Sequence, residues 1–222
     1  MQQPKSRGSV RAAWIAAALT AVVVIPLGLL AGTDWEPLIE VDMAVGDELV
    51  VPGRGTDVGV LRFLTELGGA AVRLAVLVAL AGWLAWRRRW RLVAFVVASG
   101  ALVGPLNELL KASYNRPRPP YDTVDTSGFS YPSGHAAGAA ATATVLVVVF
   151  WPVLSRPWRL LLLGLAITVV TVVGYTRVAL GAHFASDVVA GWCVGVAWAV
   201  LLAVVLHVWP GQPAALSAPR GR

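Results

Sequence analysis

Charge is what this chain lacks most. Only 14% of its 222 residues are Asp, Glu, Lys or Arg, against about 25% in soluble domains. With 57% hydrophobic residues and a mean hydropathy of +0.70, the shortage excludes an ordinary soluble globule and leaves an integral membrane protein. Cysteine is nearly absent. A single Cys193 excludes an internal disulfide, and its apolar surroundings make it a small packing residue. The length allows one membrane domain and little else. A net charge of +6 would suggest nucleic acid in a soluble protein; here the placement of the charge matters more than its sum, and no nucleic-acid partner is expected.

What is present is a series of long uncharged runs. Residues 1–11 are polar and carry Lys5, Arg7 and Arg11. Ala12–Gly32 follows without charge. It exceeds the roughly 7–15 residues of a signal-peptide core, so it predicts a first transmembrane helix. Residues 33–70 hold eight acidic residues and no run able to span. They predict an outer loop with a short interfacial helix through Val60, Leu61, Phe63, Leu64 and Leu67. Further spans are expected at 70–86, 92–110, 134–154, 160–175 and 186–209. Pro105 is tolerated or kinks its span, and Arg73 reaches the interface from its helix end. Thus 12–209 is one membrane domain, and 210–222 a tail.

Six spans place the N-terminus, the loops 87–91 and 155–159 and the C-terminus on one side. That side has 11 of the 18 Lys and Arg and none of the 12 acidic residues. Basic loops stay inside, so both termini are expected in the cytoplasm of a cell-membrane protein. Trp83, Trp86, Trp90, Trp151, Trp158 and Trp209 fall at these cytoplasmic ends, as an interfacial aromatic belt does.

The remaining polar residues then collect on the outer face. Lys111 to Pro119 reads Lys-Ala-Ser-Tyr-Asn-Arg-Pro-Arg-Pro. It joins a mobile ammonium to guanidinium forks stiffened by proline, a good pair for a phosphate. The same cations could instead bind lipid headgroups. Pro132-Ser133-Gly134-His135 puts a favoured cap, a small residue and a histidine at a helix N-terminus, which attracts anions; Gly134 and Gly138 equally suit close helix packing. His183 and Asp187, four apart, share a helix face. A carboxylate there can orient an imidazole, or simply make a structural hydrogen bond. Arg177 adds another fork. His135, His183 and Asp187 could ligate zinc, but the nearby cations favour an anion, and no metal or cofactor is expected. His207 falls on the opposite, cytoplasmic side.

Taken together and in order, these segments resemble the type 2 phosphatidic acid phosphatase (PAP2) superfamily. Its signature is Lys, six residues, Arg-Pro; then Pro-Ser-Gly-His; then Ser-Arg, five residues, His, three residues, Asp. Here Lys111, Arg118 and Pro119, then Pro132 to His135, then Arg177, His183 and Asp187 match with the same spacings. Thr176 stands where the family has Ser, keeping a hydroxyl. Arg116-Pro117 duplicates the Arg-Pro pair, and spacing selects Arg118; Thr176 and Arg116 are accessory candidates. Thr65-Glu66-Leu67-Gly68 looks like the family's segment before its second helix.

The resemblance implies an all-α integral membrane fold of six transmembrane helices with its active site at the outer interface. It implies His183 as nucleophile, Asp187 as its orienter and His135 as general acid. Lys111, Arg118, Ser133, the Gly134 N–H and Arg177 hold the phosphoryl oxygens. The expected substrate is a membrane lipid phosphate or diphosphate: a polyprenyl diphosphate such as undecaprenyl diphosphate, phosphatidic acid, lysophosphatidic acid or phosphatidylglycerol phosphate. The compact form resembles bacterial members of the superfamily, which suggests a cell-envelope role. A phosphotransferase using the same phosphohistidine, and a transporter or flippase binding anionic lipids, are the competing readings. The vanadate-binding haloperoxidase relatives do not suit six spans. The orientation has a direct check: an Asp125→Cys variant reacts with a membrane-impermeant thiol reagent added from outside, and labelling only from the cytoplasmic side reverses the topology.

Overall fold

The computed structural model describes residues 20–53, 55–121, 123–124 and 127–210, with Arg11, Trp14, Ile15 and Ala18 before them. Residues 1–10 of the expected N-terminal tail 1–11, residues 12, 13, 16, 17 and 19 of the expected first span, residues 211–222 of the expected tail 210–222 and position 125 lie outside that set. A π-helical turn at Thr20–Val24 leads into α1 (Ile25–Gly32). There follow α2 (Glu36–Leu49), α3 (Thr56–Thr65), a 3₁₀ turn (Glu66–Gly68), α4 (Ala70–Trp86), α5 (Trp90–Tyr114), α6 (Gly134–Phe150), α7 (Arg156–Ala179) and α8 (Ala185–Val205). The fold is all-α among the described residues.

Four helical stretches are long and apolar enough to cross a membrane: Thr56–Trp86, Trp90–Tyr114, Arg156–Ala179 and Ala185–Val205. A fifth arises if the pair Val22–Gly32 and Glu36–Leu49, bent by 97°, counts as one broken span. Gly134–Phe150 is apolar but only 17 residues long. The protein is therefore a multi-pass membrane protein with four or five candidate spans on length and composition. Large apolar side chains such as Val78, Leu102, Leu165, Ile167 and Val205 face outward along the helices, as a hydrocarbon solvent requires.

Two expectations are corrected. Residues 36–49 are a full helix rather than part of a loop. The mixed charge of this stretch hid an amphipathic face, on which Leu38, Val45 and Leu49 pack inward. The bend before it uses Asp34 at φ 51°, a left-handed conformation that Asp tolerates. In addition, α7 reaches Ala179, so Thr176 and Arg177 sit in its last turn instead of in a connecting segment. Elsewhere α4 has the expected bounds, and α5, α6 and α8 agree to within a few residues at each end.

Alternating helix directions decide where chemistry can happen. The C-terminal ends of α5 and α7 and the N-terminal ends of α6 and α8 meet at one end of the bundle. The opposite end is an apolar cluster including Leu84, Phe95, Val148 and Ala203. Within the bundle, α6 and α8 lie closest. A methyl added at Gly191 would meet Ser133 O at 2.6 Å, and one at Gly195 would press on Ala137 and on the Ala141 N at 2.8 Å. Apolar lipid gives no hydrophobic drive between helices, so close van der Waals contact of small residues has to hold them. That contact ties the helix of His135 to the helix of Asp187.

Gly195→Val should therefore cost about 1–3 kcal/mol or more through overpacking, seen as a lower unfolding temperature in detergent with activity falling in step. Gly82→Ala, where nothing lies within 4 Å, should leave both at least unchanged. Equal behaviour of the two variants would remove the close-packing argument.

Candidate active site

Arg116 and Arg118 lie in the stiff segment after α5. That helix ends on Asn115 in the left-handed conformation, φ 51°, which closes its last turn through an N–H to Lys111 O. The chain is then extended through Arg116-Pro117-Arg118-Pro119. Arg118 is held at three points. Its Nε and Nη2 donate to Ser127 O and Gly128 O at 2.9–3.2 Å, and Nη1 donates to Ala182 O at 2.7 Å. So fixed, Nη1 stands 3.4 Å from His183 Nε2. Burial lowers the Arg118 pKa, with Asp187 and Glu108 opposing the shift.

His183 is nearly buried and lies in the turn between α7 and α8. Gly181 makes that turn at φ +65° while packed on the Tyr121 ring; a side chain there would be strained. The His183 N–H donates to Arg177 O at 3.2 Å. Its Nδ1 lies 3.5 Å from Asp187 Oδ2, aligned with the carboxylate but beyond a closed hydrogen bond. Burial pushes the imidazole pKa down to about 4, against the raising effect of Asp187 and with Arg177 and Arg118 adding to the fall. The shift favours the neutral imidazole, whose Nε2 faces the Arg118 guanidinium.

Asp187 is fully buried at the start of α8. Its Oδ2 accepts the Phe184 N–H at 3.0 Å, closing a capping arrangement. Its Oδ1 accepts Arg116 Nη1 at 2.6 Å. Arg116 is 2% exposed, so it lies behind Asp187 and not in the phosphate pocket. Its Nη2 pairs with Asp42 of α2 at 2.8 Å, and its guanidinium stacks over Phe184. Asp42 also accepts the N–H and hydroxyl of Ser186. Losing one partner of such a buried pair costs roughly 3–5 kcal/mol.

His135 and Arg177 line one cavity of about 380 Å³ together with Arg62, Thr65, Glu66, Val124 and Leu180. Arg177 Nη1 donates to Thr65 Oγ1 at 3.3 Å, while its buried Nε has no partner among the described residues. Ser133 precedes α6 as its cap residue, after a cis Tyr131–Pro132 bond. Its backbone N–H donates to Asp187 O at 3.0 Å, and its buried hydroxyl has no partner among the described residues. Gly134 packs on Asn107, whose amide donates to Pro132 O at 3.2 Å. The first α6 N–H groups, from Gly134 on, have no intrahelical acceptor and carry the positive end of the helix. Lys111 pairs with Glu108 at 3.0 Å and is within electrostatic reach of His135.

Two of the residues singled out from the sequence thus stand apart. Thr176 turns its hydroxyl back onto Val173 O at 2.7 Å inside its own helix, and Arg116 faces the carboxylates. His207 is exposed at the other end, its Nδ1 2.8 Å from Val205 O. Among the described residues no group of three His, Cys, Asp or Glu converges as metal ligands do; the carboxylate between the imidazole and Arg116 is engaged by a guanidinium. Asp42 and Ser186 were missed. The available signal was an acid, Asp42, in the middle of the apolar stripe Leu38, Val45 and Leu49.

Comparison with known proteins identifies the family. The sequence model of the PAP2 superfamily matches residues 88–210. The chain is 34% identical over 143 residues to phosphatidylglycerophosphatase B of Bacillus subtilis (strain 168), covering 61% of this chain and 68% of that protein. It is 30% identical over 157 residues to an undecaprenyl-diphosphatase of Sulfolobus acidocaldarius, covering 67% and 70%. The crystal structure of the transmembrane PAP2-type phosphatidylglycerolphosphate phosphatase from Bacillus subtilis superposes with a TM-score of 0.72 at 25% identity, over 85% of this chain and 94% of that one. Matched by the family model over more than half of its length, the chain belongs to the PAP2 superfamily and is similar to its membrane lipid phosphatases.

Proposed function

We propose that this protein hydrolyses a lipid phosphate or diphosphate monoester through a phosphohistidine at His183, without a metal. The observation that carries the reading is the position of His183 Nε2: a neutral nitrogen 3.4 Å from a fixed guanidinium, with a carboxylate behind the opposite ring nitrogen. Phosphoryl transfer needs mainly alignment and charge stabilisation of the equatorial oxygens. Arg118, Arg177, Lys111, the Ser133 hydroxyl and the α6 N-terminus supply both.

In the first step the His183 Nε2–P bond forms and the bond from phosphorus to the leaving oxygen breaks. His135 gives its proton to that oxygen. As Nε2 becomes bonded to phosphorus the ring gains positive charge, which Asp187 stabilises through the Nδ1 proton. In the second step His135 takes a proton from water, the water oxygen attacks phosphorus, and the P–N bond breaks to release phosphate and restore neutral His183. General acid help is worth roughly 10²–10⁴-fold, so loss of His135 hurts less where the leaving group is already good.

The basic loops 87–91 and 155–159 support six spans with this site at the extracytoplasmic interface, the bent α1–α2 pair and the short α6 counting as two of them. The substrate candidates are phosphatidylglycerol phosphate and undecaprenyl diphosphate, suggested by the named relatives, and phosphatidic acid. A phosphotransferase would use the same first step with a lipid hydroxyl as acceptor.

His183→Ala should abolish phosphate release from every lipid of a detergent-micelle panel while the protein stays folded; EDTA should leave wild-type activity intact. Release that survives the substitution, or that EDTA destroys, removes the mechanism. Because His183 is active when neutral and its pKa is held down to about 4, the acid limb of kcat/KM should lie well below the ordinary imidazole value of about 6.5. The substrate's own phosphate ionisation must be subtracted, and a limb at the ordinary value contradicts the buried nucleophile.

A further inference from the structure

We propose that Arg116 and Asp42 are positioning residues for the phosphoryl-transfer step, acting on His183 through Asp187. Asp187 has two oxygens and two tasks. Oδ2 addresses Nδ1 of His183 and the Phe184 N–H, while Oδ1 is taken by Arg116 Nη1 at 2.6 Å. A carboxylate rotates freely about its last bond unless both oxygens are engaged, and the Arg116 fork stops that rotation from behind. Arg116 is itself aimed by Asp42 at 2.8 Å and by its stacking over Phe184, 4.1 Å from the ring centre. Asp42 in turn holds Ser186, the residue before Asp187, by backbone N–H and by hydroxyl.

The chain of contacts therefore runs from α2 to the nucleophile: Asp42, Arg116, Asp187, His183. All four are buried, at 3% exposure or less, so water does not screen them. Arg116 also sets how much of the Asp187 charge is available to His183. A guanidinium in contact with a carboxylate neutralises part of it; Asp42, on the other side, neutralises part of the guanidinium. The α2 helix thus tunes the nucleophile although none of its residues reaches the cavity lined by His135 and Arg177.

This inference rests on the phosphohistidine reading, and the test separates the two. Other charged groups face His183 from each neighbouring element: Asp187 on α8, Arg118 in the loop after α5, Arg177 on α7 and His135 on α6. Tyr131 and Arg118 also lie within electrostatic reach of Asp187. All of these stay unchanged in both test variants. Asp42→Asn leaves Arg116 wholly to Asp187, which weakens its pull on the His183 proton. The acid limb of kcat/KM should move down by about half a pH unit or more. The paired variant Asp42→Asn with Arg116→Gln removes both charges and leaves Asp187 held by the Phe184 N–H and the His183 ring alone. It takes away the cation nearest Asp187, so the limb should move up.

Both variants should lower kcat by about 10-fold or more and change KM by less than about threefold, measured on the lipid of the panel that the wild type hydrolyses fastest. Opposite shifts of one limb are not produced by a loss of folded protein. Wild-type limbs with reduced thermal stability alone, shifts of the same sign, or a rise in KM at constant kcat overturn the assignment. So does failure of both variants to fold, which makes the cluster a folding element. A wild-type protein that releases phosphate from no lipid overturns the functional reading and this inference with it.

Discussion

One carboxylate, Asp187, stands at the junction of folding and chemistry. Its two oxygens face a guanidinium and an imidazole, and its backbone carbonyl accepts the Ser133 N–H at 3.0 Å. The same residue therefore starts α8, fixes the turn that carries His183, and joins that turn to the N-terminus of α6. Burying it is expensive unless every lone pair finds a donor, and the surrounding residues are arranged to provide them. The extended Arg116-Pro117-Arg118-Pro119 segment illustrates the economy of the arrangement. Its two arginines point opposite ways, one behind the carboxylate and one beside the nucleophile.

The bundle exists to hold that junction still. Small residues let α6 and α8 approach until backbone atoms touch, a contact that has rigidity as its product in an apolar solvent where sequestration of greasy side chains gains nothing. Tyr121 does similar service on the outer side. Its hydroxyl donates to Asp47 Oδ1 at 2.8 Å and its ring supports Gly181, so α2 and the His183 turn are fixed to a common post. Burial and the Asp47 carboxylate push its phenol pKa up to about 12, keeping it a donor across the working range.

Much of this was legible in the sequence for a simple reason: lipid leaves a polypeptide few options. Long uncharged runs point to helices, and the polar residues left over must gather at one end. Lys111, Arg118, His135, Arg177, His183 and Asp187 were all expected at one end that way. What stayed hidden depended on side-chain direction. Arg116 and Arg118 differ by two places in a Pro-punctuated run, and spacing says only which matches a motif. It does not say that the other turns inward to meet an acid 74 residues earlier. Asp42 sat in a stretch whose acidity masked its apolar stripe. Thr176 looked like a spare hydroxyl, but a helical backbone carbonyl was nearer than any ligand.

The cavity size carries a consequence of another kind. About 380 Å³ beside His135 and Arg177 gives room for a phosphate or diphosphate head. On the proposed function the lipid's tails stay in the bilayer while its head reaches this cavity. A lipid phosphatase of the proposed kind samples its substrate in two dimensions. Its rate follows the mole fraction of phosphorylated lipid in the leaflet rather than any bulk concentration. The dephosphorylated lipid remains beside the site in that same plane, while the phosphate alone departs into water.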